Sequence, residues 1–140
     1  IESLPYFKLD FGIMEQILYN LLINAVAYTP ADTAIHIKVT RFDSDEISLM
    51  EPDNAKTKLV IVIRDEGKGF PEEEITKVFD KFYRIYTHKT GGTGLGLSIV
   101  KGFIEAHGGA IRLKNSSAGG AEFTIVIPTE TNYMNALKNE

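Results

Sequence analysis

The most extended periodic pattern in the chain lies over residues 11 to 28. There Phe11, Met14, Leu18, Leu21, Leu22, Ala25 and Val26 recur at helical spacing. Asp10 stands before this run as an N-cap. Thr29-Pro30 ends it, because proline cannot continue the hydrogen-bond ladder. The pattern then changes from helical spacing to alternation. Ile35, Ile37 and Val39 alternate with His36, Lys38 and Thr40, and Leu59 to Arg64 is a β-branched run, so both segments predict strands. Residues 43–57 between them are polar and turn-rich and read as a long hairpin loop outside the chemistry.

After a turn at Asp65, Pro71-Glu-Glu-Glu places proline and acids where a short helix would start. Residues 83–93 carry no apolar stripe, end in glycines and predict a flexible loop. Helical spacing returns over Leu95 to His107 with Leu97, Val100, Phe103 and Ile104, and Gly108-Gly109 stops it. Ala110 to Leu113 and Glu122 to Ile127 predict two strands joined by a turn at residues 115–120. Residues 1–9, with Pro5, suit an edge strand or extended lead-in, and the polar tail beyond Pro128 suits one more helical turn. The sum is a two-layer α/β sandwich: about three helices on one face of a mixed, mostly antiparallel sheet of about five strands.

Composition narrows this further. A chain of 140 residues with 44% apolar content is the size of one domain with one core, so residues 1–140 are read as a single domain. The net charge is −4 with both signs interspersed, which suggests no surface for nucleic acid or for direct contact with an anionic membrane. The absence of cysteine excludes a disulfide framework and a thiolate metal site. No apolar run reaches the roughly 20 residues that span a bilayer. Ile1 opens directly on a folded-looking segment, and the chain is expected to be a piece of something longer.

Four short stretches carry candidate chemistry. In Asn20-Leu-Leu-Ile-Asn24 the two amides project from one helix face a turn apart, and a carboxamide oxygen is a neutral, hard ligand suited to Mg²⁺. The same residues could instead cap neighbouring backbone or face water, and on the helix alone that is the plainer reading. Asp65 precedes Glu-Gly67-Lys-Gly69-Phe70, where a carboxylate could accept from an exocyclic amine while glycines let the backbone approach a flat base. An ordinary Asp-x-Gly turn closing a strand would look the same.

Phe79, Phe82 and Tyr83 with Arg84 could line a lid, Arg84 being able to fork onto phosphate, although helix-end aromatics also pack on cores. Finally, Gly91-Gly-Thr93-Gly94-Leu95-Gly96-Leu97 runs into a helix, a natural phosphate cradle. It is neither a P-loop nor the dinucleotide fingerprint, and the protein-kinase motifs are missing. His36, His88 and His107 lie apart, without zinc or triad spacing.

In this order and spacing the four stretches resemble the catalytic, ATP-binding domain of bacterial sensor histidine kinases, within the superfamily that also holds gyrase, Hsp90 and MutL. The likeness covers nearly the whole chain. The family's N box matches Glu15 to Pro30, its first glycine box Asp65 to Phe70, its F box Phe79 to Arg84, its second glycine box Gly92 to Leu97, and a further glycine box Gly119-Gly120. Phe-Asp-Lys-Phe-Tyr-Arg and Gly-Gly-Ala-x-Phe look closest to the potassium-responsive, KdpD-like subgroup.

The resemblance implies a Bergerat-type fold that binds ATP and Mg²⁺. It implies that Asn24, helped by Asn20, holds the metal, that Asp65 reads the adenine amine, and that Tyr28 and Phe70 flank the base beside Gly67 and Gly69. The backbone from Thr93 and Gly94 through Leu95 and Gly96 to Leu97 would bind phosphate, with Phe82, Tyr83 and Arg84 in the lid. Its implied partners are the kinase's own dimerisation and histidine-phosphotransfer domain and a response regulator receiver domain. Its implied setting is the cytoplasmic side of an inner-membrane sensor.

The phospho-accepting histidine of the family lies on that separate helical domain, and none of the three histidines here has matching neighbours. Two positions depart from the family pattern. Ala27 replaces a usual lysine or arginine before the N-box tyrosine, and Ala121 stands where many relatives carry a hydroxyl. The competing readings within the superfamily are an ATPase or clamp module and an anti-sigma-like serine kinase. Both usually carry a glutamate base one turn before the metal asparagine, where this chain has Asn20.

Overall fold

The computed structural model describes residues 5–7, 9–43, 57–83, 96–129 and 131–133. Helix α1 runs from Phe11 to Tyr28 and begins as expected. Asp10 is extended, and its Oδ1 accepts the Ile13 N–H at 3.0 Å, satisfying one of the free donors of the first turn. At the other end the Thr29 hydroxyl donates back to the Ala25 carbonyl at 2.7 Å, and Pro30 follows.

The sheet is built from β2 (His36–Asp43), β3 (Thr57–Arg64), β4 (Ala110–Asn115) and β5 (Ala121–Thr129). Its order is β2-β3-β5-β4 and each neighbouring pair is antiparallel. Asp43 pairs opposite Thr57 where β2 meets β3, and residues 44–56, expected to be a long hairpin loop, lie outside the described residues. A tight turn at 116–120 joins β4 to β5, with Ser116 N–H donating to the Gly120 carbonyl at 2.9 Å. Every second residue of β5 from Ala121 to Thr129 is buried, the two-residue period of a strand with one face on a core. Ile61 pairs with Ile125 and Leu59 with Ile127, and α1 supplies Ile17 and Leu21 to the same cluster. Helix α2 (Gly96–Ala106) adds Val100 and Ile104, and it packs against α1 and β4.

The α/β sandwich is therefore present, with differences of detail. The lead-in strand β1 (Pro5–Phe7) does not edge the main sheet. It pairs with β6 (Thr131–Tyr133) in a separate two-stranded ribbon, so part of the tail is a strand, while residues 134–140, where one more helical turn could lie, are outside the described residues. The described strands are antiparallel throughout, six in two sheets, where one mixed sheet of about five was expected.

The segment after Pro71 is a 3-10 turn, η1 (Glu72–Glu74), continued by bonds at three-residue steps from Lys77 N–H to the Glu74 carbonyl and from Asp80 N–H to the Lys77 carbonyl. Two α-helices and this turn are the helical elements among the described residues. On α1 the buried row is Ile17, Leu21 and Ala25, whereas Phe11 and Val26 are 80% and 64% exposed. Leucine, isoleucine, valine and tyrosine occur most of the way round this helix, so periodicity identified the helix without fixing which arc meets the sheet.

Candidate functional site

Three elements converge at one end of the sheet: α1, the loop 65–70 leaving β3, and the β4–β5 hairpin. Asn20 and Asn24 are half-buried on the arc of α1 beside Ile17 and Leu21, one turn apart. Neither carboxamide is hydrogen-bonded to another described residue, so the backbone-capping role open to them is not taken up there. Ala27 lies half-buried on the last turn, one residue before Tyr28.

Asp65 is 7% exposed, and a carboxylate that deep needs partners. Its Oδ1 accepts from the N–H of Gly67 at 2.9 Å and of Ala121 at 3.0 Å, while its own N–H donates to the Ala121 carbonyl at 3.0 Å. Its Oδ2 has no partner among the described residues. The backbone of Gly120 passes so close that a Cβ there would overlap the Asp65 carbonyl, and its φ of +89° is one that glycine adopts freely. Gly120 of the Gly119-Gly120 motif thus seats the hairpin on Asp65.

Phe70 is buried, with its ring 6.4 Å from that of Tyr28, tilted by 57°, and 6.3 Å edge-on from Phe123. Phe123 meets Phe79 edge-on at 6.3 Å, and the Lys101 ammonium lies 5.7 Å from the Phe79 ring centre. Phe79 is thereby a packing residue, the plainer of its two readings. Gly67 and Gly69 lie between Asp65 and Phe70 in the loop.

Phe82 is 72% exposed with φ +63°, and Tyr83 turns inward, its hydroxyl donating to Glu74 Oε2 at 2.7 Å. Burial, then the Glu74 carboxylate, raise the Tyr83 pKa well above the usual phenol range. Gly96 and Leu97 are the first two described residues of α2. Arg84, Thr93, Gly94 and Leu95, with most of the expected flexible loop, lie outside the described residues.

Three contributors escaped the sequence reading. Asn115 binds both backbone polar groups of Phe70; Glu66 accepts the Ala34 N–H at 3.1 Å and pairs with His36 Nε2 at 3.1 Å; Glu74 holds Tyr83. All but the last span thirty or more residues of sequence, beyond any periodic signal.

The donor set suits Mg²⁺ as part of a shell: two neutral oxygens on one helix face leave other positions to water and phosphate. Among the described residues no cluster of three or more histidine, cysteine, aspartate or glutamate side chains offers a protein-only cage.

Residues 10–131 match the family model for histidine kinase-, DNA gyrase B-, and HSP90-like ATPases, and the chain belongs to that family. It is 34% identical over 135 residues to the sensor histidine kinase WalK of Bacillus subtilis, covering 91% of this chain and 20% of WalK. To the sensor protein KdpD of Clostridium acetobutylicum it is 35% identical over 132 residues, covering 92% of this chain and 13% of KdpD. The chain thus spans a fifth or less of these relatives. Among solved structures, the mycobacterial sensor histidine kinase MprB superposes with a TM-score of 0.70 at 27% identity, covering 89% of this chain and 75% of the other. Full-length ShkA in complex with AMPPNP superposes with a TM-score of 0.69 at 29% identity, covering 93% and 24%. Fold, family and relatives agree on an ATP-binding domain of the sensor-kinase type. No helix among the described residues is long and apolar enough to cross a membrane.

Proposed function

We propose that this chain binds MgATP among α1, the loop 65–70 and the start of α2, and presents the γ-phosphate to a histidine on a separate helical dimerisation domain of the same sensor histidine kinase. The observation that carries this is the state of Asp65. Two backbone N–H groups saturate one carboxylate oxygen in a buried setting and leave the other to accept from a ligand donor. An exocyclic amine of adenine supplies that donor and the carbonyl of guanine does not. Tyr28 and Phe70, already in ring contact, flank the base.

Asn24 and Asn20 would hold Mg²⁺, which when bound neutralises phosphate charge and fixes the orientation of the chain of phosphates. The start of α2 would bind phosphate together with Thr93, Gly94 and Leu95, and Phe82 and Arg84 would belong to the lid, with Tyr83 held beside them on Glu74. Arg84, Thr93, Gly94 and Leu95 enter by the family resemblance alone, since they lie outside the described residues. Phosphoryl transfer asks for alignment and charge stabilisation more than for covalent help from the protein, so a domain with this inventory supplies its half of the reaction by positioning. Asn20 cannot take a proton from water as a carboxylate would, which favours transfer to an incoming histidine over hydrolysis.

The span 1–140 is read as one domain of a longer kinase, on the cytoplasmic side of an inner-membrane sensor, with a response regulator receiver domain downstream. The test is transfer from γ-labelled ATP to the parent's histidine-bearing helical domain supplied in trans. Label on histidine that disappears with Asn24→Ala is expected, and steady phosphate release without labelling would contradict the proposal.

A further inference from the structure

β4 ends at Asn115, opposite Ala121 of β5, and the loop 65–70 crosses the end of this hairpin. The first residue of the loop is tied there by backbone pairing between Asp65 and Ala121. Among the described residues no strand pairs with Phe70, its last residue, and a side chain takes that place. The Phe70 N–H donates to Asn115 Oδ1 at 2.8 Å, Asn115 Nδ2 donates to the Phe70 carbonyl at 2.7 Å, and the same nitrogen reaches Glu72 Oε1 at 3.2 Å. A primary carboxamide offers an acceptor and two donors on one rigid plane, and here all are used. Aspartate would keep the acceptor and lose both donors, and serine has a single donor on a shorter arm.

Gly69 belongs to the same arrangement. It has φ +75°, and a Cβ there would overlap Asn115 Oδ1. Its lack of a side chain is therefore demanded by Asn115 before any nucleotide is considered.

We infer that Asn115 is a positioning residue for the base site: it acts as a surrogate strand rung that fixes the Phe70 backbone, and through it the ring that meets Tyr28, so nucleotide affinity depends on this amide. The dependence on nucleotide rests on the function proposed above; the clamp itself does not. An unheld Phe70 would leave its N–H and carbonyl without partners beside a buried ring, and base binding would then have to order the loop as well.

Amide hydrogen exchange and ATP titration on the same samples separate the two parts. In the unaltered chain the Phe70 N–H is protected. In Asn115→Leu it exchanges as an open loop amide while Ile61 and Ile125 keep their protection, and ATP binds about tenfold more weakly. In Asn115→Asp the Phe70 N–H stays protected because its acceptor remains, yet ATP still binds more weakly because the donors are gone. Rapid exchange of Phe70 in the unaltered chain would overturn the clamp. A folded Asn115→Leu that binds ATP as tightly as the unaltered chain would overturn the coupling, and if that variant does not fold, undiminished affinity in Asn115→Asp would do the same. Failure of the unaltered chain to bind ATP would overturn the functional reading and the coupling with it, while exchange at Phe70 would still decide the clamp.

Discussion

Asp65 and Ala121 form a closed rung: the Ala121 N–H donates to Asp65 Oδ1, and the Asp65 N–H donates to the Ala121 carbonyl, both at 3.0 Å. One carboxylate oxygen thereby serves the fold, and under the proposed function the other serves the nucleotide. The two roles separate by substitution. Asp65→Asn keeps an oxygen for both N–H groups and should leave stability nearly unchanged. Asp65→Ala strands a buried N–H and should lower it by about 1–3 kcal/mol. Urea unfolding of the two variants checks this, and equal losses would mean that the N–H groups find other partners.

Gly120 should tolerate no side chain. Its φ of +89° and its approach to the Asp65 carbonyl both oppose a Cβ, so Gly120→Ala is expected to destabilise the chain by about 1–3 kcal/mol or more. A midpoint shift in denaturant at unchanged slope reads this out. Gly119, also at positive φ but with open space around its Cβ position, should lose less on the same substitution.

How much of this was legible beforehand differs by kind of signal. The N-cap at Asp10, the extent of α1, the four strands of the main sheet and the stop at Gly108 follow from local pattern and turn chemistry. The arc of α1 that faces the sheet does not, because an apolar residue such as Val26 carries no mark of which side it lies on. β6 escaped because a three-residue strand has too few positions to show a period. In the candidate site, the glycine-rich setting singled out Asp65, which the fold buries. Asn115 looked like any turn-forming asparagine at a strand end, and only folding brings it to Phe70, 45 residues away in sequence.

The amides of α1 should act on the metal-dependent part of binding alone. Asn20→Ala and Asn24→Ala remove half-buried side chains without hydrogen-bond partners among the described residues, so thermal stability should move little. ATP affinity measured with Mg²⁺ should fall toward the value measured with a chelator present. A loss of equal size in both conditions would place these side chains on the nucleotide itself.

Glu66 gives a pH signature. Its hydrogen bonds from His36 and from the Ala34 N–H hold its pKa below the ordinary 4.5. A depressed folded-state value means a contribution present above pH 4.5 and lost as pH falls through the folded value. Melting temperatures of the chain and of Glu66→Gln should therefore differ near neutral pH and converge on acidification. A constant gap down to pH 3 would show that the glutamate is not titrating through this pair.

The proposed function rests on a buried carboxylate, Asp65, reading adenine. Its most direct measurement is calorimetric titration of ATP and GTP, with Mg²⁺, into the chain and into Asp65→Asn. The account predicts ATP binding to the unaltered chain, at least about tenfold preference over GTP, and loss of ATP binding in a folded Asp65→Asn. Equal affinity for the two nucleotides, or ATP binding that survives the substitution, would contradict it.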